Sequence, residues 1–389
     1  MTPFLRSDTS RIAEWWRTID RPLLGALTLL IMIGILMIFA AGPGAAGRLG
    51  LSTWHFVIRQ MIFLMPALGV MLVLSMLDVR EIKRIGLALL AAALTLVVAT
   101  HLFAPEVNGA TRWLFIGPFS LQPSELLKPG LIICTAALLA AARREDEKAG
   151  YVVIGLLYAV CAGLVLAQKD FGQTVLISIA FGAQLFMAGL PFLIVIGLGI
   201  AAVGGLVLVY MFMPHVTARI DRFLDPSSEN YQVERAYDAF AAGGLFGRGP
   251  GEGVVKSQLP DAHTDYIFAV AGEELGAIVC LLILLVYLGI MLRGLSLSHD
   301  SSDLFVQLAT GGLVVSFGIQ ASINLAVNLD LVPSKGMTLP FISYGGSSLL
   351  ALGIGMGFLL ALTRRRLPGR LAQPSGGGLG GFSIMGLGR

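Results

Sequence analysis

The chain has 389 residues, of which 56% are hydrophobic and only 13% charged, with a mean hydropathy of +0.82 and a formal net charge of +3. That composition excludes an ordinary soluble globular domain, and so small a net charge gives no reason to expect nucleic-acid binding. Three cysteines, Cys134, Cys161 and Cys280, all fall in apolar runs, so they read as small core residues rather than a disulfide framework or a CxxC metal site.

A hydrocarbon core of about 30 Å takes roughly 20 apolar residues as helix. After an N-terminal tail over 1–21, such runs predict spans at 22–41, 54–77, 84–104, 123–142, 150–167, 172–188, 191–213, 264–292, 304–327 and 342–363. The runs are continuous rather than alternating, so an all-α polytopic bundle of about ten transmembrane helices is expected, not a barrel. The run 22–41 is too long for a signal-peptide core and reads as a retained first span. Trp15 and Trp16 ahead of it suit an interfacial anchor or are ordinary tail residues. A C-terminal tail over 367–389, rich in Gly and Ser from Pro374, is expected to be flexible.

Lysine and arginine set the orientation. With the N-terminus inside, the inner segments hold Arg6, Arg11, Arg17 and Arg21, then Arg80, Lys83 and Arg84, then Arg143, Arg144 and Lys148, then Arg293, and finally Arg364, Arg365, Arg366 and Arg370. Arg219, Arg222, Arg235, Arg248 and Lys256 remain outside, in a loop over 214–263, where topology gives them no role. A loop that long is expected to be a functional element or a small folded cap.

Four outer segments carry chemistry. In 105–128, Arg112, Glu125 and Lys128 stand at the membrane boundary, and Glu125 and Lys128 are spaced to pair on one helix face. That pair is either a structural ion pair or the wall of a polar cleft for an anionic ligand. The turn Gln168-Lys169-Asp170-Phe171-Gly172 is either solvated or functional. In the large loop, 219–242 suits a surface helix, and the Gly-rich stretch from Gly243 to Gly253 is either a flexible turn or a place of close backbone approach to a ligand. It matches neither a GxxxxGK[ST] nor a GxGxxG phosphate motif. Leu259-Pro260-Asp261-Ala262-His263-Thr264-Asp265 then leads into the eighth span, with Thr264 as candidate N-cap and Asp265 in the first turn, where it is either a cap or a base kept ionised by the helix dipole. Farther along, helical spacing puts Glu273 near the face of Asp265 and Glu274 nearly opposite, so at least one is expected to bond another helix or a loop.

Three blocks together resemble the SEDS family of shape, elongation, division and sporulation proteins. They are Gln122-Pro123-Ser124-Glu125 with Lys128, Leu259 to Val270 continuing to Glu273-Glu274-Leu275-Gly276, and Leu339-Pro340-Phe341-Ile342-Ser343-Tyr344-Gly345-Gly346-Ser347-Ser348. The resemblance covers roughly residues 20–366, and the stretches Gly249–Lys256 and Pro333-Ser334-Lys335-Gly336 are more similar to the family's division type than to its elongation type. It departs at Lys169, where a proline is usual, at Asp330, where Gly or Thr is common, and at Ser334, where Thr is usual.

The resemblance implies a membrane domain over 22–366 that polymerises lipid II on the outer side of the cytoplasmic (inner) membrane, at the division septum. It puts the essential acidic residue on Asp265 and substrate-binding positions on Arg112, Glu125, Lys128, Asp170, Lys256, His263, Lys335 and Ser343. The chemistry is inverting glycosyl transfer, with Asp265 as general base and cations among Arg112, Lys128, Lys256 and Lys335 facing the leaving pyrophosphate. It further implies Mg²⁺ or Mn²⁺ held by Asp265, Glu125 or Asp170, though no ligand spacing in the sequence demonstrates it, no organic cofactor, and a class B penicillin-binding transpeptidase with other division proteins as partners beside membrane lipids. A lipid II flippase and a non-catalytic division scaffold are the competing readings.

Overall fold

The computed structural model describes residues 10–365 apart from 107–109, 118, 146–147, 226–230, 334–335 and scattered positions between 191 and 213. In chain order the elements are α1 Arg11–Thr18, α2 Arg21–Arg48, α3 His55–Ser75, α4 Val79–Phe103, a hairpin of β1 Leu114–Ile116 and β2 Phe119–Leu121, α5 Pro123–Glu145, α6 Lys148–Ala167 and α7 Phe171–Met187. They continue with α8 Pro214–Leu224, α9 Tyr231–Gly243, α10 Ile267–His299, α11 Leu304–Asn328 and α12 Gly346–Leu362. Seven of these (α2 to α6, α10 and α11) are long and apolar enough to cross a membrane, and α7 and α12 are shorter apolar helices. The chain is an integral membrane protein. These helices overlap nine of the expected spans; the other, 191–213, falls largely outside the described residues.

The centre of the bundle is α5 and α11. Their apolar windows are 78% buried, against 22–39% for α2, α3, α4, α6 and α10, whose remaining surface is left for lipid. Small residues let neighbouring helices close up: on α12 a β-carbon at Gly353 would stand 2.5 Å from the Ala67 carbonyl oxygen of α3. At the end carrying the inner charge clusters, Arg293 of α10 grips the Asp20 carboxylate at 2.6 Å. There Arg364 donates to the Thr18 hydroxyl at 2.9 Å and the Met76 carbonyl at 3.1 Å. Trp15 is buried, with its indole N–H on Ser75 Oγ at 2.8 Å, so it fastens α1 to α3 instead of anchoring in the interface.

Several boundaries move for physical reasons. The first span continues to Arg48 through Pro43 and three glycines, and the third begins at Val79 because Asp78 and Glu81 form a capping box. The expected surface helix over 219–242 is instead two helices, α8 and α9. The last span starts at Gly346, not 342, since Phe341 turns at φ 63° and Ser343 and Tyr344 are held by other loops.

The largest departure is a break in α10. Gly276 lies at φ 81°, ψ 173°, a conformation essentially open only to glycine. The Gly-rich segment fills the gap: the N–H groups of Arg248 and Gly249 donate to the Glu273 and Glu274 carbonyls at 2.9 and 3.0 Å. In return the N–H groups of Ala277 and Ile278 donate to the Gly244 and Leu245 carbonyls at 2.9 and 3.3 Å. Four main-chain groups of α10 beside the break thereby find partners, as a low-dielectric setting demands. The close backbone approach that this segment makes is to α10.

Candidate active site

Asp265 stands just before α10, not in its first turn. Asp261, at φ 52°, starts a tight turn in which its carbonyl accepts from Thr264 N–H at 3.0 Å and Tyr266 N–H at 3.2 Å, so the helix begins only at Ile267 and Thr264 is no cap. The Asp265 carbonyl accepts from Asn324 Nδ2 at 3.0 Å and Asn328 Nδ2 at 2.7 Å, two side chains one turn apart on α11. Its half-buried carboxylate lies against the 336–338 segment: a β-carbon at Gly336 would be 3.6 Å from Oδ2.

A second group of side chains comes from α5 and the turn before α7. Glu125 and Lys128 pair at 2.7 Å and are 4% and 6% exposed, a burial affordable only with further hydrogen bonds. Those exist: Lys128 Nζ donates to Gln320 Oε1 at 2.8 Å, and Gln173 Nε2 donates to Glu125 Oε1. Asp170 caps α7, accepting from Gln173 N–H at 3.4 Å, and takes Gln122 Nε2 at 2.8 Å. Arg112 approaches its Oδ1 at 3.8 Å while donating to the Lys169 carbonyl at 2.7 Å. Burial raises the Asp170 pKa above the ordinary carboxylate value, and the Arg112 charge offsets this only in part. Lys169 sits at φ 60°, which a proline ring cannot reach, so this turn is built differently from one with the proline usual in the resemblance.

The two groups are joined. Gln320 Nε2 donates to the Thr338 carbonyl at 3.1 Å, and Asn324 Nδ2 to the neighbouring Met337 carbonyl at 2.6 Å. A continuous chain of polar contacts therefore runs Arg112, Asp170, Gln173, Glu125, Lys128, Gln320, the 337–338 backbone, Asn324 and Asp265. Below the ion pair a cavity of about 30 Å³, lined by Lys128, Ser316 and Gln320 among apolar groups of α5, α11 and α12, has room for about two waters.

Ser343 and His263 fasten the loops around Asp265. The Ser343 hydroxyl donates to the Thr264 carbonyl at 2.5 Å and accepts Leu339 N–H at 2.8 Å. Tyr344 N–H meets the His263 carbonyl at 2.8 Å, and Gln60 Nε2 reaches the Ser343 carbonyl at 3.3 Å. The His263 ring is buried against Phe56, centroids 4.1 Å apart, and its pKa is lowered to about 4 by burial and then by the charge of Arg48. A depressed pKa means that the neutral ring stabilises the fold fully above the ordinary value of 6.5, and that this stability is lost as the pH falls toward 4. The melting temperature in detergent is accordingly expected to fall over that window and His263→Phe to flatten the fall; an unchanged slope in the variant would exclude His263 as its source.

Lys256 is not among these contacts. It pairs with Glu274 of α10, and Lys335 lies outside the described residues. Sequence reasoning passed over Gln320, Asn324 and Asn328, although three amides at i, i+4 and i+8 inside an apolar span were a legible polar stripe. Gln173 and Gln122 carried no comparable pattern.

Fold and site together define a helical polytopic membrane protein in which a largely buried chain of ion pairs and amides leads to the main chain of Asp265 at one end of the bundle. Residues 21–367 match the family model of FtsW, RodA and SpoVE, described as "Cell cycle protein". Over 365 residues the chain is 45% identical to a Caulobacter vibrioides protein named "Probable peptidoglycan glycosyltransferase FtsW", covering 93% of this chain and 94% of that one. A Legionella pneumophila protein of the same name is 34% identical over 358 residues, covering 88% and 90%. Among solved structures, one described as "Structural coordination of polymerization and crosslinking by a peptidoglycan synthase complex" matches with TM-score 0.74 and 27% identity, over 89% of this chain and 97% of that one. The Rod shape determining protein RodA of Thermus thermophilus matches with TM-score 0.67 and 26% identity, over 90% and 97%. This chain belongs to the FtsW/RodA/SpoVE family, the SEDS proteins.

Proposed function

We propose that the protein is a peptidoglycan glycosyltransferase that polymerises lipid II into glycan strands during septal wall synthesis. The observation that carries this reading is the unbroken polar chain from Arg112 to Asp265, at the end of the bundle that the charge pattern assigns to the outside. The acceptor sugar hydroxyl attacks the donor's anomeric carbon and gives its proton to the Asp265 carboxylate. The new C–O bond forms as the bond to the lipid pyrophosphate breaks, and undecaprenyl pyrophosphate leaves with the electron pair.

Of the described cations, Arg112 suits that leaving group best. Its side chain is 24% exposed, and its Nε is buried without a hydrogen-bond partner. Lys128 is already neutralised by Glu125, so its part is to hold Gln320 and, through it, the segment against Asp265.

Among the described residues no three His, Cys, Asp or Glu side chains gather into a metal cage. Dependence on Mg²⁺ or Mn²⁺ is proposed in a weaker sense, as a cation brought by the substrate's phosphates, and no step is routed through it. Excess chelator is expected to lower polymerisation without shifting the melting temperature; full activity in chelator would end the metal proposal.

The reading extends to the inner membrane with both termini cytoplasmic, to the septum, and to a class B penicillin-binding transpeptidase with other division proteins as partners. The similarity to a synthase complex that couples polymerisation to crosslinking supports the transpeptidase. The test is labelled lipid II given to the purified protein in liposomes, with and without that partner. Glycan polymer is the expected product; its absence with the partner present, together with lipid II transfer between leaflets, would establish the flippase reading instead.

A further inference from the structure

The carboxylates of Glu273 and Glu274 are 0% and 1% exposed, and they serve neither the Asp265 turn nor the Glu125–Lys128 pair. Glu273 Oε1 accepts the main-chain N–H groups of Val254 and Val255 at 2.6 and 2.7 Å, and Oε2 accepts that of Lys256 at 2.8 Å. Three fixed donors replace the water this charge has given up. Glu274 pairs with Lys256 Nζ, which also donates to the Gly251 carbonyl at 3.3 Å. Since Glu274 Oε2 has no hydrogen-bond partner, Lys256 supplies the compensation for that buried charge.

Both carboxylates, which sit on the helix that follows Asp265, therefore grip one short stretch, 254–256, nine to eleven residues ahead of it in the chain. Between them Leu259 and Ala262 are fully buried, so the path from the grip to Asp265 has little freedom. The splice at Gly276 ties 244–249 to the same helix.

We propose that Glu273, Glu274 and Lys256 form a clasp that positions Asp265, with Lys256 as a buried counter-ion and not a ligand of the pyrophosphate. Asp265 is held from two sides, by Asn324 and Asn328 from α11 and by the clasped approach from α10. The inference rests on the reading of Asp265 as the base. A buried ion pair adds little net stability, but breaking one side strands the other charge, which makes such a pair a good device for fixing a geometry.

The experiment compares wild type, Lys256→Met, Glu274→Gln and the double variant K256M/E274Q in liposomes with labelled lipid II. Trypsin cleavage after the exposed Arg248 is followed on the same samples without substrate. Lys256→Met is expected to lower kcat by about tenfold or more, with KM within about twofold, and to speed that cleavage. The double variant, which leaves no stranded charge, is expected to recover most of both. If it stays as inactive as Lys256→Met while regaining protection from trypsin, Lys256 contacts the substrate and the clasp is refuted; wild-type kcat in Lys256→Met refutes it equally. Should wild type make no polymer, the glycosyltransferase reading fails, and the protease comparison alone then decides whether the clasp holds the loop.

Discussion

Asp265→Asn is expected to lower kcat for polymer formation by about 10²–10⁴, the usual contribution of a positioned general base, while the protein stays folded and inserted. The reason for expecting so clean an effect is where the local hydrogen bonds end. Asn324 and Asn328 hold the main-chain carbonyl of residue 265, which the substitution keeps, and Ser343 holds the carbonyl of Thr264. The turn that presents the side chain therefore survives, and what is lost is the ability to take a proton. Polymer length and yield on gels, with melting temperature measured on the same preparations, make the comparison. An Asn variant keeping more than about a tenth of the wild-type rate would remove Asp265 from the base role.

Lys128→Met has the second-largest expected effect, and of a different kind. It strands the Glu125 carboxylate, 4% exposed, with the Gln173 amide still donating to it, at a cost of about 3–5 kcal/mol. It also takes from Gln320 the donor that fixes its amide, so the 337–338 segment beside Asp265 loses its register. Melting temperature and polymerisation are both expected to fall. Adding Glu125→Gln removes the stranded charge and should return most of the stability, but not the rate, because Gln320 is still unheld. A Lys128→Met protein as stable as wild type would mean that the pair is not buried as the structure has it. Full recovery of rate in the double variant would separate the ion pair from catalysis altogether.

Much of this protein is legible without coordinates because the bilayer is a demanding solvent. A span must be a continuous apolar helix of about 20 residues, and charge placement sets its direction, so composition read locally suffices for α2 to α7 and α10 to α12. The Glu125–Lys128 pair was legible too, because three residues of helix bring the two side chains together whatever surrounds them. Local rules left Asp265 open between a cap and a base and Asp170 between a solvated turn and a functional one, and the family motifs were what singled them out.

Tertiary structure decided what depends on distance through space. Lys128 finds its counter-ion Glu125 within one helical turn, but its second partner Gln320 lies across 192 residues of chain, and Lys256 takes Glu274 across a loop. Beyond one helical turn, a positive charge in a sequence carries no address for its counter-ion. The break in α10 was hidden for a similar reason: Gly276 in an apolar run reads as helix, and only the strand of glycines spliced beside it makes the break affordable. That Asp265 precedes its helix follows from the Asp261 turn and the two asparagines of α11, contacts about 60 residues apart. Hydropathy and charge act through the solvent on each segment separately and so are written locally; hydrogen-bond partners and counter-ions are chosen by packing, and only the folded bundle brings them within reach.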